Sequence, residues 1–127
     1  MTRQLPLRPD LPPDDVVIVI RAGAMSADNV KRVAERTFAL YAVLGISVEG
    51  VLDSTVQNTC RGERIIGYRK VRLSSFGRLR AAGFAVLATF DHPHFTVVLA
   101  DLSELTVGRL DRCFDVPIPN PGHPPEG

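Results

Sequence analysis

The chain has 127 residues, a formal net charge of +1 at pH 7 and a hydrophobic content of 45%. This length suits one domain with a single modest core, and the composition excludes a highly charged, disordered chain. No apolar run approaches the roughly 20 residues of a membrane span, and the opening MTRQLPLRPDLPPDD lacks the apolar stretch of a secretory signal. We therefore expect a cytoplasmic protein that does not associate with membranes.

Prolines are concentrated at the two ends of the chain, with four in residues 1–14 and five in residues 117–127. Proline fixes φ and removes an amide donor, so these ends can form neither helices nor the interior of a sheet. We predict an extended proline-rich arm over 1–14, a single α/β-type domain over 15–116 and an extended proline-rich tail over 117–127. Both arms could lie along a partner, either a second copy of the chain or a cognate protein.

The first half of the domain predicts two strands joined by a helix. VVIVIR at 16–21 is a β-branched run typical of a buried strand, and we interpret Arg21 as its end residue. Ser26 can cap the helix that follows, and ISVEGVL at 46–52 predicts a second strand. The length of the helix permits a right-handed crossover, which predicts that the two strands lie parallel.

The second half predicts short helices and a hairpin. IIGYRKVRL at 65–73 indicates a third strand, and Ser74 or Ser75 can cap a short helix that ends at Gly83. FAVLATF and HFTVVLA predict a hairpin joined by residues 91–93, and Ser103 begins a last helix. The fold class is α+β (or α/β): one mixed-sheet domain with helices packed on the sheet and a β-hairpin in the C-terminal half.

The two cysteines are separated by 52 residues and lack the spacing of a zinc site. We expect Cys60 and Cys113 to be reduced, partly buried thiols. No carboxylate or histidine cluster indicates a metal, and no glycine-rich phosphate motif indicates a nucleotide cofactor, so we predict neither.

Positive charge is concentrated in residues 61–80, which hold seven basic residues and one acidic residue and leave the rest of the chain with a net charge of −5. This asymmetry indicates an anionic partner, and RNA is our candidate. In a strand, Tyr68, Lys70 and Arg72 would share one face. The predicted nucleic-acid-binding residues are Arg61, Arg64, Tyr68, Arg69, Lys70 and Arg80, with Ser74 and Ser75 at a helix start. The alternative is a solvated edge strand protected by its charges.

A histidine and a threonine share one face of the last hairpin strand. Histidine exchanges protons near neutral pH, and the Thr96 hydroxyl could orient a phosphate oxygen beside His94. A three-residue connection would set His94 opposite Phe90 and Thr96 opposite Ala88, an apolar setting that favours packing. The tripeptide His94-Phe95-Thr96 resembles half of the signature of 2H phosphoesterases, and the chain lacks the second half.

A histidine with arginines and a threonine is similar to the sites of small metal-independent ribonucleases such as bacterial toxins. We hypothesise a toxin-type endoribonuclease in which His94 acts as general acid or base, Thr96 orients the phosphate, and Arg72 and Arg78 stabilise the transition state. One alternative is a non-catalytic, winged-helix-like nucleic-acid-binding module with residues 84–100 as the wing. Another is an interaction subunit of a homo-oligomer or of a toxin–antitoxin-like complex.

Overall fold

A computed structural model describes residues 2–10, 12–21 and 26–124. The elements are β1 (Val17–Arg21), α1 (Ala27–Tyr41), β2 (Gly45–Gly50), α2 (Val56–Cys60), β3 (Lys70–Ser75), α3 (Phe76–Ala81), β4 (Ala85–Ala88), β5 (His94–Val98), α4 (Glu104–Arg112) and β6 (Ile118–Pro119). The six strands form one sheet in the order β4-β5-β2-β1-β3-β6. The α+β class and the hairpin in the C-terminal half are confirmed.

Each pair of neighbouring strands is antiparallel, so the predicted parallel crossover, which would have made the sheet mixed, is wrong. In the β1–β2 pair, Ile18 lies opposite Gly50 and Val19 lies opposite Glu49. The helical spacing of α1 determines which of its faces is apolar, but it does not determine the direction in which the chain re-enters the sheet.

The two faces of the sheet are covered differently. On the face that we call the helix face, strand residues such as Ile18, Val48 and Phe95 pack against α1, α3 and α4 in the main core. On the opposite face, the loop face, a smaller cluster joins Val19 and Val71 to residues of α2 and of the segment after it; its buried members are Val19, Cys60, Ile65 and Val71. Cys60 and Cys113 are free and buried, as predicted.

Serine hydroxyls begin three of the helices as predicted. Ser26, Ser75 and Ser103 each accept a hydrogen bond from the amide three residues ahead. Gly83 follows α3 with φ of 88°, which is the left-handed conformation that glycine adopts without strain.

The third strand begins at Lys70, and the predicted strand over 65–73 is wrong in its first half. Residues 61–69, which we call the arginine loop, form successive turns in which the Ile65 and Ile66 amides donate to the Gly62 carbonyl and the Tyr68 amide donates to the Ile65 carbonyl. These local bonds leave the amides unavailable for a sheet ladder. Tyr68 is therefore outside β3, and the predicted face shared by Tyr68, Lys70 and Arg72 does not form.

Both proline-rich arms pack on their own domain where the structure describes them; Met1, Leu11 and residues 125–127 lie outside the described residues. In the N-terminal arm, Leu5 is buried and the Arg8 amide donates to the Ala88 carbonyl at 2.9 Å. In the tail, β6 pairs with β3 and Asn120 is buried.

The hairpin of β4 and β5 is part of the main sheet, because β5 also pairs with β2 along its length. It is therefore not the projecting wing that the winged-helix interpretation requires. Among the helices of the described ranges, none combines the length and the apolar character that crossing a bilayer requires.

Candidate functional site

His94 is the first residue of β5, and its side chain is buried with 3% exposure. Its Nδ1 lies 2.8 Å from Thr89 Oγ1 and 3.2 Å from the Thr89 carbonyl oxygen. Its ring packs edge-on against the Phe90 ring, and the two ring centroids are 5.2 Å apart. Burial, aided by the positive charge of Arg64, lowers the pKa of His94 to about 4. The imidazole is therefore neutral near pH 7, and its contacts favour packing. The acid–base role stays a prediction.

The hairpin register differs from the prediction by one residue. Thr96 lies opposite Leu87, and Phe95 lies opposite Ala88. The Thr89 amide donates to the His94 carbonyl, which leaves residues 90–93 as a four-residue connection. Thr89, rather than Phe90, then bonds to His94 through the backbone, and its Oγ1 lies 2.8 Å from Thr96 Oγ1. All three polar side chains of this group are buried and satisfy one another.

Arg72 lies on the helix face, where it joins β3 to the end of α4. Its Nη1 donates to Asp111 Oδ1 at 2.6 Å, and its other nitrogens donate to the carbonyls of Asp111, Phe114 and Asp115 at 2.8–3.0 Å. The last carbonyls of a helix have no partner within the helix, and Arg72 supplies one. Arg72 is only 8% exposed, so this arrangement is a structural cap for the end of α4.

The two arginines of α3 also pair with acidic residues of the protein. Arg78 donates to Asp115 Oδ1 at 2.9 Å, and Arg80 donates to Asp14 Oδ1 at 2.6 Å.

The predicted phosphate cradle at Ser74 and Ser75 is filled by the chain itself. The amides of residues 76, 77 and 78 donate to the Val16 carbonyl, the Asp14 carbonyl and Ser75 Oγ. Ser74 is buried with no partner for its hydroxyl among the described residues. No amide of this turn is left for an anion.

The structure does not bring the four predicted catalytic residues together. His94 and Thr96 lie opposite Glu49 and Ser47 on the loop face. Arg72 lies on the helix face, and Arg78 lies beside Asp115, three residues after the end of α4. The sheet separates the imidazole from the Arg72 guanidinium.

The arginine loop is brought to the loop face and held there by the tail. Asn120 Nδ2 donates to the Ile65 and Tyr68 carbonyls at 3.1 and 2.8 Å, and the Asn120 amide donates to the Arg69 carbonyl. Arg61 is exposed and donates to Asn58 Oδ1 at 3.3 Å. Arg69 and Lys70 are exposed at the loop's end.

Beneath the arginine loop lies a cavity of about 150 Å³, which we call the Glu49 cavity. It is lined by Val19, Arg21, Ser47, Val48, Glu49, Arg64 and Ile65. The Glu49 side chain is 9% exposed, and the Arg64 side chain at the rim is 46% exposed. The guanidinium of Arg21 lies over the Tyr68 ring, 5.5 Å from its centroid.

The carboxyl group of Glu49 is incompletely paired. Arg64 Nη1 lies 3.7 Å from Oε1, and Oε2 is buried without a hydrogen-bond partner among the described residues. Burial raises the pKa of Glu49, and the positive charge of Arg64 opposes that shift only in part. A buried acceptor without a donor carries a free-energy penalty that a bound donor group would remove.

The sequence interpretation missed the three polar residues of this cavity that come from the sheet. The sequence pattern indicates a strand-end residue at Arg21 and ordinary strand positions at Ser47 and Glu49. A signal was present, because Glu49 is the single charged residue of the run ISVEGVL. Acidic residues are rarely buried in strands unless they are paired or functional.

In the described ranges, no group of three or more histidine, cysteine, aspartate or glutamate side chains lies together as a metal site would require. No family model, curated protein or solved structure matches the chain in comparisons with known proteins.

Proposed function

We propose that this protein is a cytoplasmic RNA-binding protein that holds single-stranded RNA at the arginine loop and the Glu49 cavity. One observation carries the proposal. Arg72, Arg78 and Arg80 are held by the protein's own acids at 2.6–2.9 Å. Arg21 and Arg64 border an open cavity beside Tyr68, and Arg64 has only a 3.7 Å contact with Glu49.

The chemistry of these groups suits a phosphodiester chain with unpaired bases. Guanidinium forks bind phosphate in a bidentate manner, and exposed Arg61 extends the positive surface along the same loop. The Tyr68 ring is partly buried and contacts Arg21 of the cavity lining, and the ring face away from Arg21 offers a surface on which a base can stack. Stacking requires bases that are not already paired, which favours a single strand.

The protein binds RNA in this proposal, and His94 does not cleave it. A general acid or base must come within about 3 Å of the proton it transfers, and His94 is enclosed by Thr89 and Phe90. Its lowered pKa also leaves it neutral in the range where a bound phosphate would need a proton donor.

The test measures the anisotropy of a fluorescein-labelled 12-nucleotide RNA of mixed sequence at several salt concentrations. We expect the affinity to fall steeply with salt. Arg64→Ala should weaken binding about tenfold and reduce the slope of log affinity against log salt by about 0.7, the contribution of one phosphate contact on a single strand.

The matched control is Arg36→Ala, which removes an exposed guanidinium from α1 on the other side of the sheet. Equal losses in Arg64→Ala and Arg36→Ala would contradict the proposed site, and affinity that does not change with salt would contradict binding through phosphate. Electrophoresis of the same RNA after incubation tests turnover. Cleavage that disappears in His94→Asn would restore the ribonuclease hypothesis.

A further inference from the structure

The Glu49 carboxyl group has features of a ligand-recognition group. More than nine-tenths of its side chain is buried, it lines the cavity, and Oε2 lacks a donor within the described residues. An ionised carboxylate can only accept hydrogen bonds, so the group that completes it must carry an N–H or O–H.

Arg64 adds the complementary half of the recognition surface. Its guanidinium lies 3.7 Å from Glu49 Oε1 and can only donate hydrogen bonds. The pair therefore presents an acceptor next to a donor. A ligand edge that fits it carries a donor next to an acceptor.

The size of the cavity restricts the ligand. Its volume is about 150 Å³, and a protein cavity of roughly this volume accommodates one benzene ring. The cavity can enclose a single six-membered ring, and a fused two-ring purine would extend beyond it towards its open side.

These observations select one part of an RNA chain. The Watson–Crick edge of uracil presents N3–H between two carbonyl oxygens, and that of cytosine presents the N4 amino group beside N3. Both edges place a donor next to an acceptor on a single ring, and in a duplex both are already paired. We infer that the Glu49 cavity is a subsite for one unpaired pyrimidine base. Glu49 accepts from the base, and Arg64 donates to it through one edge of its guanidinium while the other edge binds phosphate. This inference rests on the proposed RNA binding.

The experiment compares labelled 12-nucleotide oligo(U), oligo(C), oligo(A) and an abasic oligomer of equal length and charge. The wild-type protein should bind the two pyrimidine oligomers about tenfold more tightly than the abasic oligomer and more tightly than oligo(A). Glu49→Met, which keeps the side-chain length and removes the acceptor, should abolish this preference. The urea denaturation midpoint verifies that each variant is folded.

Glu63→Met is the matched control, because Glu63 is an exposed acid of the arginine loop and its replacement changes the net charge equally. It should retain the tenfold preference. Equal wild-type binding of all four oligomers, or a preference that survives in Glu49→Met, would overturn the pyrimidine subsite while leaving RNA binding intact. Absence of binding to any oligomer would overturn both proposals.

Competition with free uridine monophosphate distinguishes an RNA strand from a single nucleotide. A strand that spans the arginine loop should bind more tightly than the nucleotide by more than tenfold, because it adds further phosphate contacts. Equal affinities would overturn the assignment of the subsite to RNA.

Discussion

The two faces of the sheet use arginine in opposite ways. On the helix face, Arg72 donates to the Asp111 carboxylate and to three carbonyls near the end of α4. On the loop face, Arg64 lies 3.7 Å from a carboxylate that still has an unpaired oxygen. The Arg72 guanidinium stabilises the fold, whereas the Arg64 guanidinium leaves one oxygen of Glu49 able to accept a hydrogen bond at the cavity.

The difference shows that a high local density of arginine does not by itself make a binding surface. Within residues 61–80, the guanidiniums of β3 and α3 that face acids on other elements stabilise the domain, and those in the turns of the arginine loop remain at the surface. Which arginines are available to a ligand depends on how closely the fold pairs each one, as the 2.6 Å pair of Arg72 and the 3.7 Å pair of Arg64 show.

Arg72→Ala tests the helix face and should have the largest effect. It removes a buried guanidinium and leaves the carbonyls at the end of α4 without donors, so the free energy of unfolding should fall by about 4 kcal/mol. Urea denaturation measures this loss. In the control, Arg78→Ala removes an exposed ion pair and should cost less than about 1 kcal/mol. Similar losses in the two variants would remove the distinction between cap and surface pair.

His94 tests the closed part of the loop face through pH. Its pKa is about 4 in the fold and near 6.5 when unfolded, so the neutral histidine contributes stability above pH 6.5 that is lost as the pH falls from 6.5 to 4. The full effect is about 3 kcal/mol. The difference in unfolding free energy between wild type and His94→Gln, measured by urea denaturation from pH 7 to 4, should shrink accordingly. A difference that is constant with pH would show that the imidazole is not held neutral.

Asn120 tests how the open part of the loop face is held. Asn120→Ala removes two donations to the arginine loop and one acceptance from Gly122, so the unfolding free energy should fall by about 2 kcal/mol. Hydrogen exchange at the Ile65 and Tyr68 amides should accelerate, and RNA affinity should fall with it. Asn58→Ala, which loses one exposed contact to Arg61, is the control. Unchanged exchange in Asn120→Ala would mean that the tail does not position the loop.

Local signals were sufficient to predict the order of the elements from β1 to α4 and several of their ends, but not β6. Ser26, Ser75 and Ser103 cap helices because a serine hydroxyl just before a helical periodicity can accept a hydrogen bond from a free amide of the first turn. The direction of β2 and the role of Arg72 could not be predicted in this way. They depend on partners far along the chain, since Arg72 bonds to residues 39 to 43 positions later.

The candidate site was predicted in part for the same reason. Charge clustering indicated Arg61, Arg64 and Tyr68 because all three belong to one continuous segment. Glu49 and Arg21 come from other strands, and only the strand order β2-β1-β3 brings them beneath the arginine loop. The predicted hairpin register is wrong by one residue. In the observed register the backbone of His94 bonds to Thr89 instead of Phe90.

The proline-rich arms have a consequence for how the molecule behaves in concentrated solution. The N-terminal arm bonds to Ala88 at the end of β4 and to the two residues after it, and Pro119 lies in the outermost strand at the other margin of the sheet. At both margins a segment that contains proline thus covers part of the edge, and each proline has no amide to offer a further strand. Removal of residues 2–10 would uncover the main-chain groups at the end of β4 for pairing with a strand of a neighbouring molecule, so the arm shields this edge from self-association.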